Sequence, residues 1–241
     1  MSLLTNLIAY YPLNGNSNDV GGNGYNGTDS SVSYGYNYAN NAILGQGAHY
    51  VSTSSAYTVL PSGFNSAFTP RSNSISMSCW IYVTSLATEQ GIIAAGNTAG
   101  GNDVFYLYVV GSANKTGWGM GGSILYEIDI TSIAINTWYH VVCVGSYITA
   151  TTGTMTLYVN GSSVGTKSYN PTIIGVFSGT TTMNYGRFGA YAGGFYENGN
   201  LTQVGWWNRE LTTAEITQLY NRGYGITYPF ISPNMTVFFQ N

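Results

Sequence analysis

The stretch SISMSCWIYV, residues 74–83, alternates without a break: Ile75, Met77, Cys79, Ile81 and Val83 fall on one side, and Ser76, Ser78, Trp80 and Tyr82 on the other. A period of two belongs to an extended chain, whose successive side chains leave opposite faces, so this stretch reads as a half-buried strand with aromatics on its second face. VFYLYVVG (104–111) and TWYHVVCVGSYI (137–148) follow the same pattern. In TMTLYVNGSSVG (154–165), Asn160 and Gly161 separate two short runs of this kind. That pair suits a type I′ turn, which needs positive φ at both central residues, and predicts a hairpin.

One helix stands apart, in LTTAEITQLYNRG (211–223). Thr212 and Glu215 have capping-box spacing, Ile216, Leu219 and Tyr220 share a face, and Gly223 can supply a left-handed stop. The remaining pattern is strand and turn. No repeat, linker or composition shift divides the chain, and 241 residues suit one all-β unit able to bury roughly 70% of its unfolded surface. We expect a single domain over 1–229, followed by an apolar, proline-bearing extended arm over 230–241.

Only 6% of residues are Asp, Glu, Lys or Arg, against a usual ~25%, so solubility rests on neutral polar groups. Six basic residues scattered singly, with a net charge of -3, offer no stripe for a run of phosphates, and nucleic acid is not an expected ligand. The start MSLLTNLIAYYPLNG lacks a basic n-region and a long apolar core, and no stretch approaches ~18 apolar residues; we expect synthesis in the cytosol without a classical signal peptide or membrane insertion. Cys79 and Cys143 are expected to be buried free thiols.

Six segments in order carry a resemblance: LIAYYPLNGNSNDVGGNGYNGT (7–28), GQGAHYVS (45–52), ISMSCWIYV (75–83), NTWYHVVCVGSY (136–147), GTMTLYVNGSSVG (153–165) and LTQVGWWNRELTTAEITQLYNRG (201–223). Together they resemble the LamG-like jelly-roll domains of the concanavalin A-like lectin/glucanase superfamily. The resemblance implies an all-β fold, an antiparallel β-sandwich of two sheets packed face to face with one short C-terminal helix.

LYEIDIT (125–131) tests whether such a chain cuts sugars, because Glu127 and Asp129 should leave one face of a strand. Glucanases of the superfamily follow Glu-Ile-Asp-Ile closely with a second Glu as acid/base, but here the chain continues Ile130, Thr131, Ser132. A retaining glycosidase needs two carboxyls about 5 to 5.5 Å apart flanking the scissile bond. With the second Glu missing, and with no nucleophile elbow, phosphate loop or His-rich metal motif, no enzyme is expected. His140, in a strand beside Trp138, reads as structural.

Calcium is the cofactor to weigh. NGNSNDVGGNG (14–24) gathers Asn16, Asn18, Asp19 and Asn23 among flexible glycines, and oxygen donors of this kind suit a hard cation. The resemblance implies a structural calcium in such a loop, helped by acidic residues of the closing strand, where this chain has Thr202 and Gln203. The metal candidates are therefore Asn16, Asp19, Asn23 and Gln203, with reduced affinity; the other reading is an Asn/Gly turn held by its own bonds.

Flat rings can stack on sugar C–H faces while amides and carboxylates bond the hydroxyls. Trp118 precedes the Glu127/Asp129 strand in a Gly-rich segment, and GAYAGGFYENGN (189–200) sets Tyr191, Phe195 and Tyr196 beside Glu197 and Asn198. The expected groove residues are Trp118, Tyr126, Glu127, Asp129, Tyr191, Tyr196 and Asn198. Two functions follow: a non-catalytic carbohydrate-binding or adhesion module, displayed on a virion or cell surface, or a structural virion protein of a phage head, fibre or tail with no glycan ligand; a glycoside hydrolase is the remote third, because the glucanase signature is truncated. Partners would be a glycan or polysaccharide, other virion or surface proteins, or further copies of the chain in a homo-oligomer or assembly.

Overall fold

The computed structural model describes residues 2–35, 45–67, 74–97, 102–110, 115–120, 126–131, 133–171, 185–190 and 194–230. In chain order the elements are β1 (Leu7–Tyr11), β2 (Thr28–Ser30), β3 (Ser33–Gly35), β4 (Gly47–Tyr50), β5 (Tyr57–Val59), α1 (Ser62–Ala67), β6 (Ile75–Val83), β7 (Gln90–Asn97), β8 (Asn102–Val110), β9 (Lys115–Met120) and β10 (Tyr126–Thr131). They continue with β11 (Trp138–Thr149), β12 (Thr152–Val159), β13 (Ser162–Tyr169), β14 (Tyr185–Phe188), β15 (Gly199–Trp207) and α2 (Thr213–Tyr220). The pairings are antiparallel and build two sheets. The first runs β13-β12-β11-β6-β15-β4-β3 with β1 also on β15; the second runs β10-β9-β8-β7-β14-β5-β2.

The two sheets face each other as a sandwich, the fold expected from the sequence. Alternation fills the space between them: Ile75, Met77, Cys79 and Ile81 from β6 meet Phe105, Leu107 and Val109 from β8 in one core. Both thiols lie in that core and are free. A line of rings crosses it, from Phe64 to Trp206 at 5.3 Å, Trp206 to Phe105 at 5.0 Å, and Phe105 to Trp118 at 5.5 Å between centroids.

β6 is buried on both faces, because α2, the segment before it and side chains of β11 cover its second side. Ser76 Oγ donates to the Arg209 carbonyl and accepts from the Leu211 amide, and Trp80 stacks on Tyr220 of α2 at 5.9 Å. The hairpin β12–β13 turns through Asn160 (φ 50°) and Gly161 (φ 80°), both positive as a type I′ turn requires. α2 starts with the expected capping box between Thr212 and Glu215. Its left-handed end begins earlier than expected: Asn221 (φ 45°) and Arg222 (φ 55°) take that conformation before Gly223 (φ 95°). Phe230, where the arm was expected to begin, is buried edge-on against Tyr10 at 5.0 Å, which ties it to the domain. Residues 231–241 of the expected arm lie outside the described residues.

Candidate functional site

The outward face of the second sheet brings polar chemistry into register. Pairing places Val59, Arg187, Ala94, Tyr106, Gly119 and Glu127 in one line across β5, β14, β7, β8, β9 and β10. A second line sets Gly91, Tyr108, Gly117 and Asp129 beside it. Each line has a tyrosine, then a glycine, then an acidic residue.

The glycine is needed. The Tyr106 ring lies across Gly119, where an added Cβ would come to 2.0 Å of Tyr106 Cζ, and its hydroxyl donates to Glu127 Oε1 at 2.8 Å. Tyr106 and Tyr108 are themselves 7% and 3% exposed and form a small buried cluster with Ala94, while Glu127 and Arg187 stay half-buried. Arg187 holds its guanidinium 5.0 Å from the Tyr57 ring centroid, and Tyr57 packs on Tyr196 at 6.3 Å. Four inter-strand steps put Arg187 and Glu127 roughly 19 Å apart along the line. The carboxylate end is braced from the other sheet, where Lys167 Nζ of β13 donates to the Glu127 carbonyl at 3.2 Å.

The structure separates the expected groove residues. Glu127 and Tyr196 belong to this face. Trp118 does not: alternation on β9 turns it inward, with 0% exposure, so it cannot stack on a ligand from solvent. Tyr126 also faces the other way from Glu127, packing on the core edge against Tyr169 at 6.2 Å. Asn198 is a structural latch. Its amide N–H donates to Gln90 Oε1, its side-chain oxygen accepts from the Ser52 amide, and its carbonyl accepts from Thr84. Asp129 is placed as a strand position opposite Gly117, with its side chain outside the described residues, as is all of Tyr191. Tyr106, Tyr108, Arg187 and Tyr57 were missed by the sequence reading. The signal for the first two was present, since they alternate with Phe105, Leu107 and Val109 in the same run.

The Asp19 loop is a hydrogen-bonded turn in which the chain itself engages most of the expected donors. Asp19 Oδ1 accepts from the amides of Tyr10 and Gly21, and Oδ2 from that of Tyr25. Asn16 Oδ1 accepts from the Asn18 amide, and Asn23 turns its Nδ2 to the Ile8 carbonyl. Gln203 Oε1 is engaged by the Tyr10 hydroxyl at 2.7 Å. Three of four carboxylate lone-pair sites on Asp19 are thus used by the chain itself. Among the described residues no group of three or more His, Cys, Asp or Glu could hold a metal. Asp19→Ala is therefore expected to cost about 2 kcal/mol, or about 4–8 °C in Tm, equally with calcium and with chelator. A loss confined to the calcium sample in thermal melts would make Asp19 an ion ligand.

The titratable groups inside the fold are structural in different ways. His140 bonds Ser78 Oγ through Nε2 at 2.9 Å and packs beside the stacked pair Trp80 and Tyr220; burial pushes its pKa down to about 3, so it is neutral. Glu197 is 0% exposed, and among the described residues neither carboxyl oxygen has a hydrogen-bond partner. Among the described residues no helix is long and apolar enough to cross a membrane.

A family model described as the concanavalin A-like lectin/glucanases superfamily matches residues 47–217, more than half of the chain. Among solved structures, the binding domain of Paraclostridial Mosquitocidal Protein 1 superposes with a TM-score of 0.66 at 17% identity over 91% of this chain and 53% of its own. The receptor-binding domain of botulinum neurotoxin type G gives 0.66 at 15% identity over 90% and 51%. A structure of botulinum neurotoxin type C, whose cell entry depends upon interaction with two ganglioside molecules, gives 0.67 at 14% identity over 91% and 51%. This chain spans about half the length of these structures, and at such identities the likeness is one of fold. No curated protein matches. With the sandwich, its closing helix and the family match over 47–217 in agreement, the chain belongs to the concanavalin A-like lectin/glucanases superfamily.

Proposed function

We propose that this chain is a non-catalytic carbohydrate-binding module, that it binds through the outward face of the second sheet, and that it is displayed on a virion or cell surface. The observation that carries the reading is the line Arg187–Ala94–Tyr106–Gly119–Glu127. It sets a guanidinium with an adjoining ring at one end and a fixed carboxylate at the other, with Ala94, Gly119 and the buried Tyr106 ring holding the two ends in place between them. An elongated neutral chain of hydroxylated rings suits that spacing, because Glu127 accepts from hydroxyls, Arg187 donates to ring and hydroxyl oxygens, and Tyr57 and Tyr196 offer aromatic surface. Toxin binding domains of the same fold, one from a toxin that interacts with gangliosides, support a binding role. Chemistry on a glycosidic bond is no part of the proposal: Glu127 is held by Tyr106, and the next residue in the glucanase pattern is Thr131 in place of a Glu.

A polysaccharide and glycan array with the parent and Glu127→Gln tests it. We expect a specific signal from the parent and a loss of about tenfold or more in affinity for Glu127→Gln, the size of a lost charged hydrogen bond, with Tm unchanged. A silent array, or a variant that binds like the parent, would sink the reading and turn the choice to a particle-assembly role.

A further inference from the structure

The buried carboxyl of Glu197 has no task in the binding face, yet it sits in the segment that borders it. Gly194–Asn198 leads into β15 and carries Phe195, 46% exposed, and Tyr196, which packs on Tyr57 beside Arg187. The segment is fastened by backbone bonds: Gly91 N–H to the Phe195 carbonyl, Glu197 N–H to the Gly189 carbonyl, and the latch at Asn198. In its middle Glu197 turns inward. Its carboxyl occupies the space over Gly199, where an added Cβ would come to 3.0 Å of Oε1 and 2.3 Å of the Tyr82 carbonyl, so the seat exists only because residue 199 has no side chain.

Among the described residues no cation faces that seat. The titratable groups around it are Tyr50 from β4 and Cys79 from β6, both fully buried and both pushed above their usual range chiefly by burial, so both are neutral. A carboxylate there would hold a full charge with no partner, at a cost of several kcal/mol, whereas the protonated acid is a modest misfit.

We propose that Glu197 is a proton-controlled latch for the edge of the binding face: protonated, it seats in the core and fastens Gly194–Asn198; ionised, it leaves and frees Phe195 and Tyr196. The inference rests on the proposed binding face for its consequence, and on the Glu197 seat alone for its physics. Burial holds the carboxyl well above its ordinary range. Since the closed segment binds a proton that the open segment releases, closure is complete below about pH 4.5, the ordinary carboxyl value, and weakens as pH rises through the value in the closed state. Opening the segment is less costly than unfolding the domain, because its bonds are few and one side already meets solvent.

Hydrogen exchange of the free protein from pH 4.5 to 8 tests the latch without any ligand. The amides of Glu197 and Asn198 are expected to gain about tenfold per pH unit in opening beyond the ordinary base-catalysed rise, while Val142 in the centre of β11 shows only the ordinary rise. Glu197→Gln should remove the extra slope. An ordinary slope at both amides in the parent overturns the latch, whether or not the variant folds. So does an unchanged extra slope in a folded Glu197→Gln. Glycan binding is read separately on the same samples. An extra slope with a silent array keeps the latch and removes the binding reading, and binding with an ordinary slope does the reverse.

Discussion

Trp118→Ala is expected to lose about 3–5 kcal/mol of stability in chemical denaturation, the range for emptying a buried indole site. The ring is 0% exposed on the inner face of β9, in contact with Phe105 and through it with Trp206 and Phe64, so its removal opens a void in the middle of a line of rings. The surrounding strands pair on both sides of β9 and cannot collapse into the space without breaking register. Trp118→Phe should lose less, since it refills part of the volume and removes an indole N–H that is buried without a partner among the described residues. A loss below about 1 kcal/mol for the alanine variant would mean that the ring faces solvent. The consequence for function is practical: any loss of binding in Trp118→Ala reports a damaged sandwich, and Glu127→Gln is the informative variant.

Why Trp118 misled the sequence reading is a matter of range. Alternation tells that Trp118 and its glycine neighbours leave opposite faces of β9, but not which face meets the other sheet. The answer comes from β8, where Phe105 and Leu107 face inward, and pairing across the sheet then carries Trp118 in with them and Gly117 and Gly119 out. Features closed within a few residues were legible: the β6 alternation, the Asn160–Gly161 turn and the Thr212–Glu215 capping box. The site was half legible. Glu127 stands out in its own strand, but its partner Tyr106 lies on β8, and Arg187 meets Tyr57 from a strand distant in sequence. Glu197 was hidden for the same reason. FYENGN reads as a polar loop, and only Gly199, Tyr50 and Cys79 together show that its carboxyl turns into the core.

Arg209→Met should cost a further 3–5 kcal/mol or so, as expected when one partner of a buried ion pair is removed and the other is left behind. Arg209 binds Glu215 through two parallel bonds of 2.8 Å, Nη1 to Oε2 and Nη2 to Oε1, with side chains 9% and 5% exposed. The same guanidinium donates to the carbonyls of Thr5 and Ser2, so it clamps the chain's first turn to the start of α2. Burial works to raise the Glu215 carboxyl, but the bonds from Arg209 and Thr212 outweigh it and hold the group below its usual range. A depressed carboxyl contributes stability that is present above its ordinary value of about 4.5 and is lost as pH falls through the value in the fold. The gap between parent and Arg209→Met should therefore be widest near neutrality and shrink below about pH 4.5. Glu197 runs with the opposite sign, since its raised value stabilises the fold toward acid, but it is present in both proteins and cancels in the difference. Denaturation midpoints of the two proteins at pH 7 and pH 3.5 measure the effect. A gap that stays constant across that range would show that Arg209 acts through its carbonyl bonds to Ser2 and Thr5 and not through Glu215.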